Sequence, residues 1–350
     1  MKVSLIIPCR NEQAHIGNFL DSVLGQQLEP NWELEILVAD GLSDDGTREA
    51  LRQYAAKAPN VRMIDNAGRI VSTGLNAAIA AASGEIIIRM DAHTIYAGDY
   101  VRECVRVLQE SGADSVGGPW IAKGRGRTGR AIAAAFQSRF CSGGGKSHDP
   151  NYEGEVDTVY LGCWHRSVFD KVGMFDPDLV RNQDDEFSFR LRRQGLRIWQ
   201  SPRIQSSYAP RSSIKALFRQ YAQYGFWKVA VIRKHRSLAS WRHIVPPLFV
   251  GSILTLVLVI AIAGLAGLST VAAGAGAALA LGLGSYFAAC IAFSAPFARS
   301  LELSSLLLLP GVMCVYHVAY GLGFLAGLLR GPRRGSGETP QGEFFTALTR

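Results

Sequence analysis

The chain has 350 residues, 48% of them hydrophobic, and a formal net charge of +8 at pH 7. This length exceeds one small domain and leaves room for a soluble domain with an appended region. Six cysteines are scattered without a C-x-x-C pair, which argues against a zinc site and against a disulfide framework. The first apolar run stops at Pro8 and is too short for a signal peptide, so we expect the soluble part to stay where it is made.

Charged residues are distributed unevenly along the chain. Between residues 244 and 329 the formally charged side chains are Arg299 and Glu302, whereas the preceding part resembles an ordinary charged globular protein. The sequence therefore predicts a soluble part and an apolar part that meet near His243.

Strand and helix patterns alternate through the first 90 residues. Short β-branched runs predict strands over residues 3–7, 34–39, 61–64 and 85–90, and amphipathic or alanine-rich runs predict helices over 14–26, 47–58 and 72–82. This alternation predicts a doubly wound, mostly parallel sheet with helices on both faces.

Acidic residues follow three of these predicted strands, namely Glu12, Asp40 and Asp91. Ligands bind at the carboxyl ends of strands in open α/β sheets, so these side chains predict a cleft suited to a ribose and a metal. Anionic phosphates could bind in a cleft lined by acidic side chains only if the metal lay between the two. The first strand is followed neither by G-x-G-x-x-G nor by a P-loop, which argues against a dinucleotide-binding domain and a P-loop NTPase.

The stretch I-I-I-R-M-D-A-H ends a buried strand with Asp91 and His93, separated by one residue. Both side chains therefore leave the strand end on the same side and can share one divalent cation. The alternative is a strand end with two solvated polar residues.

Three motifs in order, strand-P-C-R-N-E, V-A-D-G-x-S-D-D-G-T and M-D-A-H-T, resemble the nucleotide-sugar half of family 2 glycosyltransferases of the GT-A, Rossmann-like fold. The resemblance implies that Asp40 contacts uracil, that Asp91 contacts ribose and metal, and that His93 binds the metal. A histidine replaces the commoner second aspartate, which suits Mn²⁺ better than Mg²⁺ and leaves the metal open between the two. Pro8 and Glu12 fall on the donor-binding side of the same motifs.

Arg69, in G-R-I-V-S-T-G-L-N, either reaches a donor phosphate or lies on the surface. From residue 117 to 158 the pattern loosens, and the basic glycine-rich segments 123–127 and 143–146 predict loops. These loops are either solvated or mobile covers over donor phosphates and anionic acceptor groups.

The resemblance assigns the catalytic base to Asp184 in Q-D-D-E-F-S-F-R, where Gln183 replaces the usual glutamate. An inverting transfer needs one carboxylate that takes the proton of the acceptor hydroxyl. On a helix Asp185 and Glu186 would point about 100° and 200° away from Asp184, so at most one of the three faces the cleft.

The segment 218–233 is aromatic and basic and matches the Q-x-x-R-W motif of relatives at Gln223 and Trp227, with Phe226 in place of arginine. The resemblance places this pair beside the acceptor. The other interpretation is an interfacial helix whose cations meet anionic lipid. Trp164 is either an acceptor platform or a core residue.

The apolar segments 244–267, 271–298 and 303–329 are each long enough to span a roughly 30 Å hydrocarbon core. The basic run 233–242 places the start of the first span in the cytoplasm. Three spans would put the basic tail 330–334 outside, against the positive-inside trend. Either one segment is re-entrant, with Pro296 and Pro310 as candidate breaks, or the tail is an exception.

We therefore expect a GT-A domain over residues 1–235, with a nucleotide-sugar half (1–115), an acceptor half (116–205) and interfacial helices (206–243). A membrane domain (244–330) and a polar tail (331–350) follow.

The resemblance, which is closest to members that build exopolysaccharides, implies a multi-pass protein of the inner membrane with a cytoplasmic catalytic domain. This protein would transfer glucose from UDP-glucose to a polyprenyl-diphosphate-linked sugar. Its expected partners are the UDP-sugar, the lipid-linked acceptor, membrane lipid and other polysaccharide-biosynthesis enzymes, and no nucleic acid. The alternatives are a polyprenyl-phosphate sugar synthase, a nucleotidyltransferase and a non-catalytic subunit of a polysaccharide export complex.

Overall fold

The computed structural model describes residues 1–238, 240–330 and 344–345. The chain divides into two compact units, one of Met1–Ile121 and Lys146–Ala209, the other of Ala122–Gly145 and Pro210–Arg350. The division at Ala209 differs from the boundary predicted near His243, because the helix that follows residue 210 packs with the apolar helices. The predicted polar tail lies outside the described residues except for Phe344 and Phe345.

All strands within the described part of the chain belong to the first unit. They are β1 (Lys2–Cys9), β2 (Glu33–Asp40), β3 (Val61–Asp65), β4 (Ile86–Arg89), β5 (Thr94–Tyr96), β6 (Ser115–Gly118), β7 (Gly154–Glu155), β8 (Tyr160–His165), β9 (Ile198–Gln200) and β10 (Ser206–Tyr208). The main sheet has the order β3-β2-β1-β4-β8-β6-β9-β7, and β5 pairs separately with β10.

The helices include short ones that the sequence pattern did not predict. They are α1 (Gln13–Leu24), α2 (Thr47–Lys57), α3 (Val71–Ala81), α4 (Tyr100–Ser111), α5 (Gly126–Gln137), α6 (Arg139–Ser142), α7 (Ser167–Val172), α8 (Gln183–Arg193), α9 (Ile214–His235), α10 (Val245–Leu265), α11 (Ser269–Ser294), α12 (Leu303–Leu306) and α13 (Leu309–Arg330). Short 3-10 turns occur at Lys146–His148, Trp241–His243 and Ala295–Arg299.

The parallel half of the sheet confirms the predicted alternation. β1 pairs in parallel with β2 and β4, and β2 pairs in parallel with β3. β8 then runs antiparallel to both β4 and β6. Sequence periodicity did not indicate this reversal, because a buried strand reads as an apolar run in either direction.

Both faces of the sheet are covered, which explains the continuous apolar run of β1. Leu5 and Ile7 enter one core cluster with Ile16 and Phe19 of α1, whereas Ile6 enters the cluster on the opposite face. Neighbouring side chains in a strand alternate between faces, so a strand buried on both sides has few polar positions.

The segment 117–158 is more ordered than its pattern predicts. It contains α5 and α6, and the buried side of α5 includes Ala131, Ile132 and Phe136. The loop prediction for residues 126–127 was wrong because glycine and arginine at the start of α5 hide the apolar run that follows.

Among the described residues of the second unit, three helical stretches are long and apolar enough to cross a membrane: Trp241–Leu265, Ser269–Arg299 and Leu303–Arg330. α10 and α11 form an antiparallel hairpin and are exposed around most of their circumference. The third stretch is interrupted between α12 and α13. Almost half of the residues in its most apolar part are buried inside the unit.

Candidate active site

The parallel strands bring the predicted acidic residues to one edge of the first unit. Cys9 of β1 is in register with Asp40 of β2, and Asp40 is in register with Asp65 of β3. The loops that follow these strands and β4 therefore leave the sheet at the same edge. Glu12, Asp40 and Asp91 are the first acidic residues at or beyond the ends of β1, β2 and β4.

A buried arginine that the sequence analysis did not single out links two of the predicted residues. Arg89 ends β4, and its side chain is 5% exposed. Its Nε and Nη2 donate to the two carboxylate oxygens of Asp91, each at 3.0 Å, while its Nη1 is paired with Oδ1 of Asp184. One guanidinium thus joins the D-A-H turn to the predicted base across 95 residues of chain.

The signal for Arg89 was present in the sequence. Three isoleucines precede it in a strand that is otherwise apolar, and a charged side chain in such a strand needs a buried partner. Burial by itself lowers the pKa of the Arg89 guanidinium, but the carboxylates of Asp184 and Asp91 reverse that effect and raise it. Arg89 therefore stays charged.

Asp184 lies in the first turn of α8, after Asn182, whose φ of +62° starts the helix. Its side chain is 44% exposed, so solvent and a substrate can reach the carboxylate. Desolvation raises the pKa of Asp184, the charge of Arg89 lowers it, and Asp91 and Asp185 raise it, with a net rise above the ordinary value.

Glu186, two residues further along α8, is fully buried and faces a different partner. Arg190 donates to its carboxylate at 2.9 Å, one helical turn away. Asp184 and Glu186 thus have different arginine partners, as expected for side chains that leave a helix in different directions. Of the two, Asp184 is the one that pairs with the D-A-H segment.

His93 lies beside the buried carboxylate of Glu12, with 3.9 Å between His93 Nδ1 and Glu12 Oε1. The turn that carries His93 is held from both sides. The Asp91 amide donates to the Tyr96 hydroxyl at 2.7 Å, and the Thr94 and Tyr160 hydroxyls are 2.6 Å apart. The backbone between Asp91 and Thr94 is therefore restrained although the imidazole itself is 43% exposed.

The chemistry of these side chains fits a divalent ion only if a substrate contributes ligands. Within residues 1–238, 240–330 and 344–345, no group of three or more histidine, cysteine or acidic side chains forms a ready-made metal cluster. Ions that are held by only one or two protein side chains, such as Mg²⁺ at nucleotide sites, take their remaining ligands from phosphates and water. Asp91, His93 and the adjacent Glu12 are the candidates to hold such an ion.

Asp40 is buried and organises its own loop. It accepts hydrogen bonds from Arg48 Nη1 at 2.7 Å, from the Ser43 amide at 3.1 Å and from the Ser43 hydroxyl at 2.5 Å. Arg48 also pairs with Asp65 at the end of β3. A base-binding role would use lone pairs that these contacts leave on the carboxylate.

Three loops at this edge contain non-glycine residues in the left-handed region, Asn11 (φ 54°), Leu42 (φ 56°) and Arg69 (φ 60°). Such conformations cost of order 1–3 kcal/mol each and cluster at functional sites. Arg69 is exposed, so its side chain is free to reach toward a ligand or solvent. Pro8 lies inside β1, which runs to Cys9 rather than ending at the proline.

Trp164 is a core residue, and the acceptor-platform interpretation was wrong. It lies in β8, is 3% exposed, and meets the rings of Phe169, Phe175 and Phe187 edge to face at centroid distances of 5.6, 6.2 and 5.8 Å. A ring packed on these sides has no face for a sugar.

Gln223 and Trp227 belong to α9 of the second unit and are both buried. Gln223 Nε2 donates to the carbonyl oxygen of Phe344 at 3.0 Å, and Trp227 Nε1 donates to that of Phe345 at 2.9 Å. Phe345 also stacks on Phe226 with a centroid distance of 4.5 Å. The motif pair therefore contacts the C-terminal segment.

Comparisons with known proteins agree with this geometry. The model of Glycosyl transferase family 2 matches residues 4–173. The succinoglycan biosynthesis protein ExoA of Rhizobium meliloti (strain 1021) is 33% identical over 259 residues, 72% of this chain and 78% of that protein. A dolichyl N-acetyl-alpha-D-glucosaminyl phosphate 3-beta-D-2,3-diacetamido-2,3-dideoxy-beta-D-glucuronosyltransferase of Methanococcus voltae is 29% identical over 68% of this chain and 76% of that protein.

A solved structure shows the same fold. The mannosyltransferase PcManGT of Pyrobaculum calidifontis, in complex with GDP-Man and Mn²⁺, superposes with a TM-score of 0.57 at 19% sequence identity, covering 92% of this chain and 86% of that one. The fold of the first unit is accordingly GT-A, as the sequence motifs predicted.

Proposed function

Because the chain belongs to glycosyltransferase family 2, we propose that it is an inverting, membrane-bound enzyme that moves glucose from UDP-glucose to a polyprenyl-diphosphate-linked sugar. It is a nucleotide-sugar-dependent glycosyltransferase of glycan biosynthesis. The donor, acceptor and membrane location are our proposal. The lipid-linked acceptor is supported by the name of a relative that acts on a dolichyl-linked sugar phosphate, and the membrane location by the apolar helices of the second unit. The choice of glucose follows from the resemblance of the sequence motifs to family members that build exopolysaccharides.

The observation that carries the proposal is the group formed by Asp91, Arg89 and Asp184. In a nucleotide-sugar site the donor and the base must face each other across the reacting carbon, and here one guanidinium connects the donor-side carboxylate to the proposed base. A scaffold subunit would have no need for a base that remains exposed beside a buried arginine.

Asp184 acts as the general base in the proposed reaction. Its carboxylate takes the proton of an acceptor hydroxyl as that oxygen forms a bond to the anomeric carbon. The bond between the anomeric carbon and the diphosphate oxygen breaks, and the nucleoside diphosphate leaves with the electron pair. Arg89 holds the Asp184 carboxylate in place and lowers its pKa against the desolvation that raises it.

The donor side is assigned to Pro8, Glu12, Asp40, Arg69 and Asp91. We assign Asp91 and His93 as the ligands of Mg²⁺ or Mn²⁺, with Glu12 beside them. Such an ion, when bound, neutralises charge that develops on the leaving diphosphate. The exposed guanidinium of Arg69 is a candidate for the same phosphates.

The apolar helices support a location in the cell inner membrane, with more than one crossing and the catalytic unit in the cytoplasm. The basic residues before α10, among them Arg236 and Arg242, favour the cytoplasm for the start of that helix. A lipid-linked acceptor would then be presented at the surface on which the enzyme is anchored.

The test uses membranes that contain the full chain, radiolabelled UDP-glucose, and Mn²⁺ or Mg²⁺ against a chelator control. We expect metal-dependent label in the lipid fraction that organic solvent extracts. If neither UDP-glucose nor other UDP-sugars gave label when primed lipid acceptors were supplied, the proposed donor and acceptor classes would be wrong.

A further inference from the structure

The main helix of the third apolar stretch, α13, packs against the charged helix α9. α13 and α9 approach so closely that a Cβ on Gly323 would overlap the carbonyl oxygen of Ala222, and one on Gly225 would overlap that of Tyr320. Further along, Gly327 lies against Phe226 and Val229. Glycines at such a crossing let two helix backbones meet. One face of α13 is thereby committed to α9.

α9 is not a membrane-crossing helix. Its 22 residues include several cations and glutamines spread along the whole helix: Lys215, Arg219, Gln220, Gln223, Lys228, Arg233 and Lys234. Charged side chains in the hydrocarbon region are strongly unfavourable, so a helix of this composition stays at the membrane surface or outside it. A helix that runs beside α9 along its length shares that position.

The contacts between α13 and the α10–α11 hairpin fall at the base of the hairpin. A Cβ on Gly321 would meet the Pro246 carbonyl and Val250, in the first turns of α10. His317 Nδ1 of α13 lies 2.8 Å from the hydroxyl of Tyr286, and the sulfur atom of Cys314 lies 3.9 Å from that of Cys290. Tyr286 and Cys290 belong to the second half of α11. The midpoint of α13 thus reaches only the level at which α10 begins.

Both ends of this stretch are tied to elements that adjoin the catalytic unit in the chain. Before α12, Glu302 pairs with Arg130 of α5 at 2.7 Å. Near the end of α13, Arg233 of α9 donates to the carbonyl oxygen of Leu328 at 2.8 Å. Residue 122 directly follows the first unit, residue 145 directly precedes its second segment, and residue 210 follows its end. Both ends of the stretch Leu303–Arg330 are therefore held by helices, α5 and α9, that connect to the first unit without an intervening apolar span.

We propose that α10 and α11 are the membrane-crossing helices and that α13 lies along the membrane interface, on the side of the catalytic unit. The partner of α13 is the lipid surface itself. One stripe of α13 at helical spacing is exposed or half-buried and consists of apolar residues and glycine: Gly311, Val315, Val318, Leu322, Leu325 and Leu329. Such a stripe suits the boundary between headgroups and acyl chains.

This topology removes the conflict that three spans create. Two crossings return the chain to its starting side, so Arg330 and the arginines that follow lie on the same side as the basic run before α10, in agreement with the positive-inside trend. The uncharged turn at residues 266–268 becomes the external end of the hairpin. The contacts of Phe344 and Phe345 with α9 agree with a C-terminus on that side.

The inference rests on the proposed membrane location and not on the transferase reaction, so its test measures sidedness. The full chain carries an epitope tag after residue 350 in one version and within the 266–268 turn in another. Protease is added to intact spheroplasts and to inverted membrane vesicles. We expect the C-terminal tag to be cut only in inverted vesicles and the turn tag only in spheroplasts.

Cleavage of the C-terminal tag in intact spheroplasts would show that α13 crosses and would overturn the proposal. Recovery of the untagged chain in the soluble fraction would overturn the membrane location and this topology together, whereas loss of glucose transfer with the expected cleavage pattern would affect only the proposed function.

A matched pair of lysine substitutions gives a second measurement. Leu322 is 37% exposed near the middle of α13, and Leu258 is 59% exposed near the middle of α10. We expect Leu258→Lys to lower the amount of carbonate-resistant chain in membranes several-fold, and Leu322→Lys to leave it unchanged because the ammonium can reach the headgroups. Equal losses in the two variants would contradict an interfacial α13.

Discussion

Two groups of candidate site residues, one in each unit, satisfy their polar atoms in opposite ways. In the first unit, Arg89, Asp91 and Asp184 are held by one another and keep an exposed carboxylate. In the second unit, Gln223 and Trp227 are buried, and both donate to backbone carbonyls of the C-terminal segment. The first arrangement is organised without a bound substrate, whereas Gln223 and Trp227 would have to lose their contacts with the C-terminal segment before they could bind one.

The largest expected effect tests the exposed carboxylate. Asp184→Asn should lower transfer about 10²–10⁴-fold, the usual contribution of a general base, because the amide cannot take the acceptor proton. UDP binding should be retained. The measurement is label transfer to lipid, with UDP affinity measured in parallel. Asp185→Asn is the matched control, since its side chain leaves the helix in another direction, and equal losses in the two variants would remove the special role of Asp184.

A second change tests the metal assignment. His93→Ala should weaken metal-dependent donor binding roughly 10–100-fold, the range in which metal sites lose affinity when a supporting group is removed. His93→Asp restores a carboxylate and should shift the preference from Mn²⁺ toward Mg²⁺. Donor affinity is titrated with each ion. An unchanged ion requirement in both variants would show that His93 is not a ligand.

A third change tests the connection between donor side and base. Arg89→Lys keeps the positive charge but loses the planar set of N–H donors that binds the carboxylates of Asp91 and Asp184 at the same time. Since hydrogen bonds to charged groups contribute about 1.5–3 kcal/mol, kcat should fall roughly tenfold or more. The KM for the donor should change less than kcat, because the positive charge remains beside Asp91. The opposite split, with KM alone affected, would make Arg89 a donor-binding residue only.

A fourth change concerns Gln223 and Trp227, which the C-terminal segment covers. Deletion of residues 335–350 removes the carbonyl partners of Gln223 and Trp227 and should change the KM for the acceptor a few-fold while the KM for the donor stays constant. Phe345→Ala, which removes the ring that stacks on Phe226, should give a smaller change in the same direction. If both variants left acceptor kinetics unchanged, the acceptor-side role of the pair would be unsupported.

The smallest expected effect is in the pH profile. The pKa of Asp184 is raised, so its carboxylate protonates at a higher pH than an ordinary aspartate with a pKa of about 3.9. Transfer needs the ionised base. As the pH is lowered, activity should therefore already be lost at a pH above about 3.9, the ordinary pKa of aspartate. The acid limb of kcat/KM reports this group in the free enzyme. A limb at or below the ordinary value would contradict the raised pKa.

The sequence by itself determined the parallel half of the catalytic sheet. Apolar β-branched runs, polar strand ends and their order along the chain predicted where Glu12, Asp40, Asp91 and His93 would meet, because parallel strands end at one edge. The motif order also placed Asp184 on a helix with its two acidic neighbours pointing elsewhere. The sheet features depend on local periodicity and on one general rule of sheet geometry, whereas the choice of Asp184 came from the resemblance to the family motifs.

Only the tertiary structure decided the rest, since it depends on which surfaces meet. Arg89 becomes a bridge only because α8 brings Asp184 to the end of β4. Trp164 becomes core because three phenylalanines surround it. The hydropathy of α13 is that of a membrane-crossing helix, and its packing against the charged helix α9 is what places it at the interface. Hydropathy reports the length and apolarity of a helix, whereas its neighbours determine the direction in which it runs.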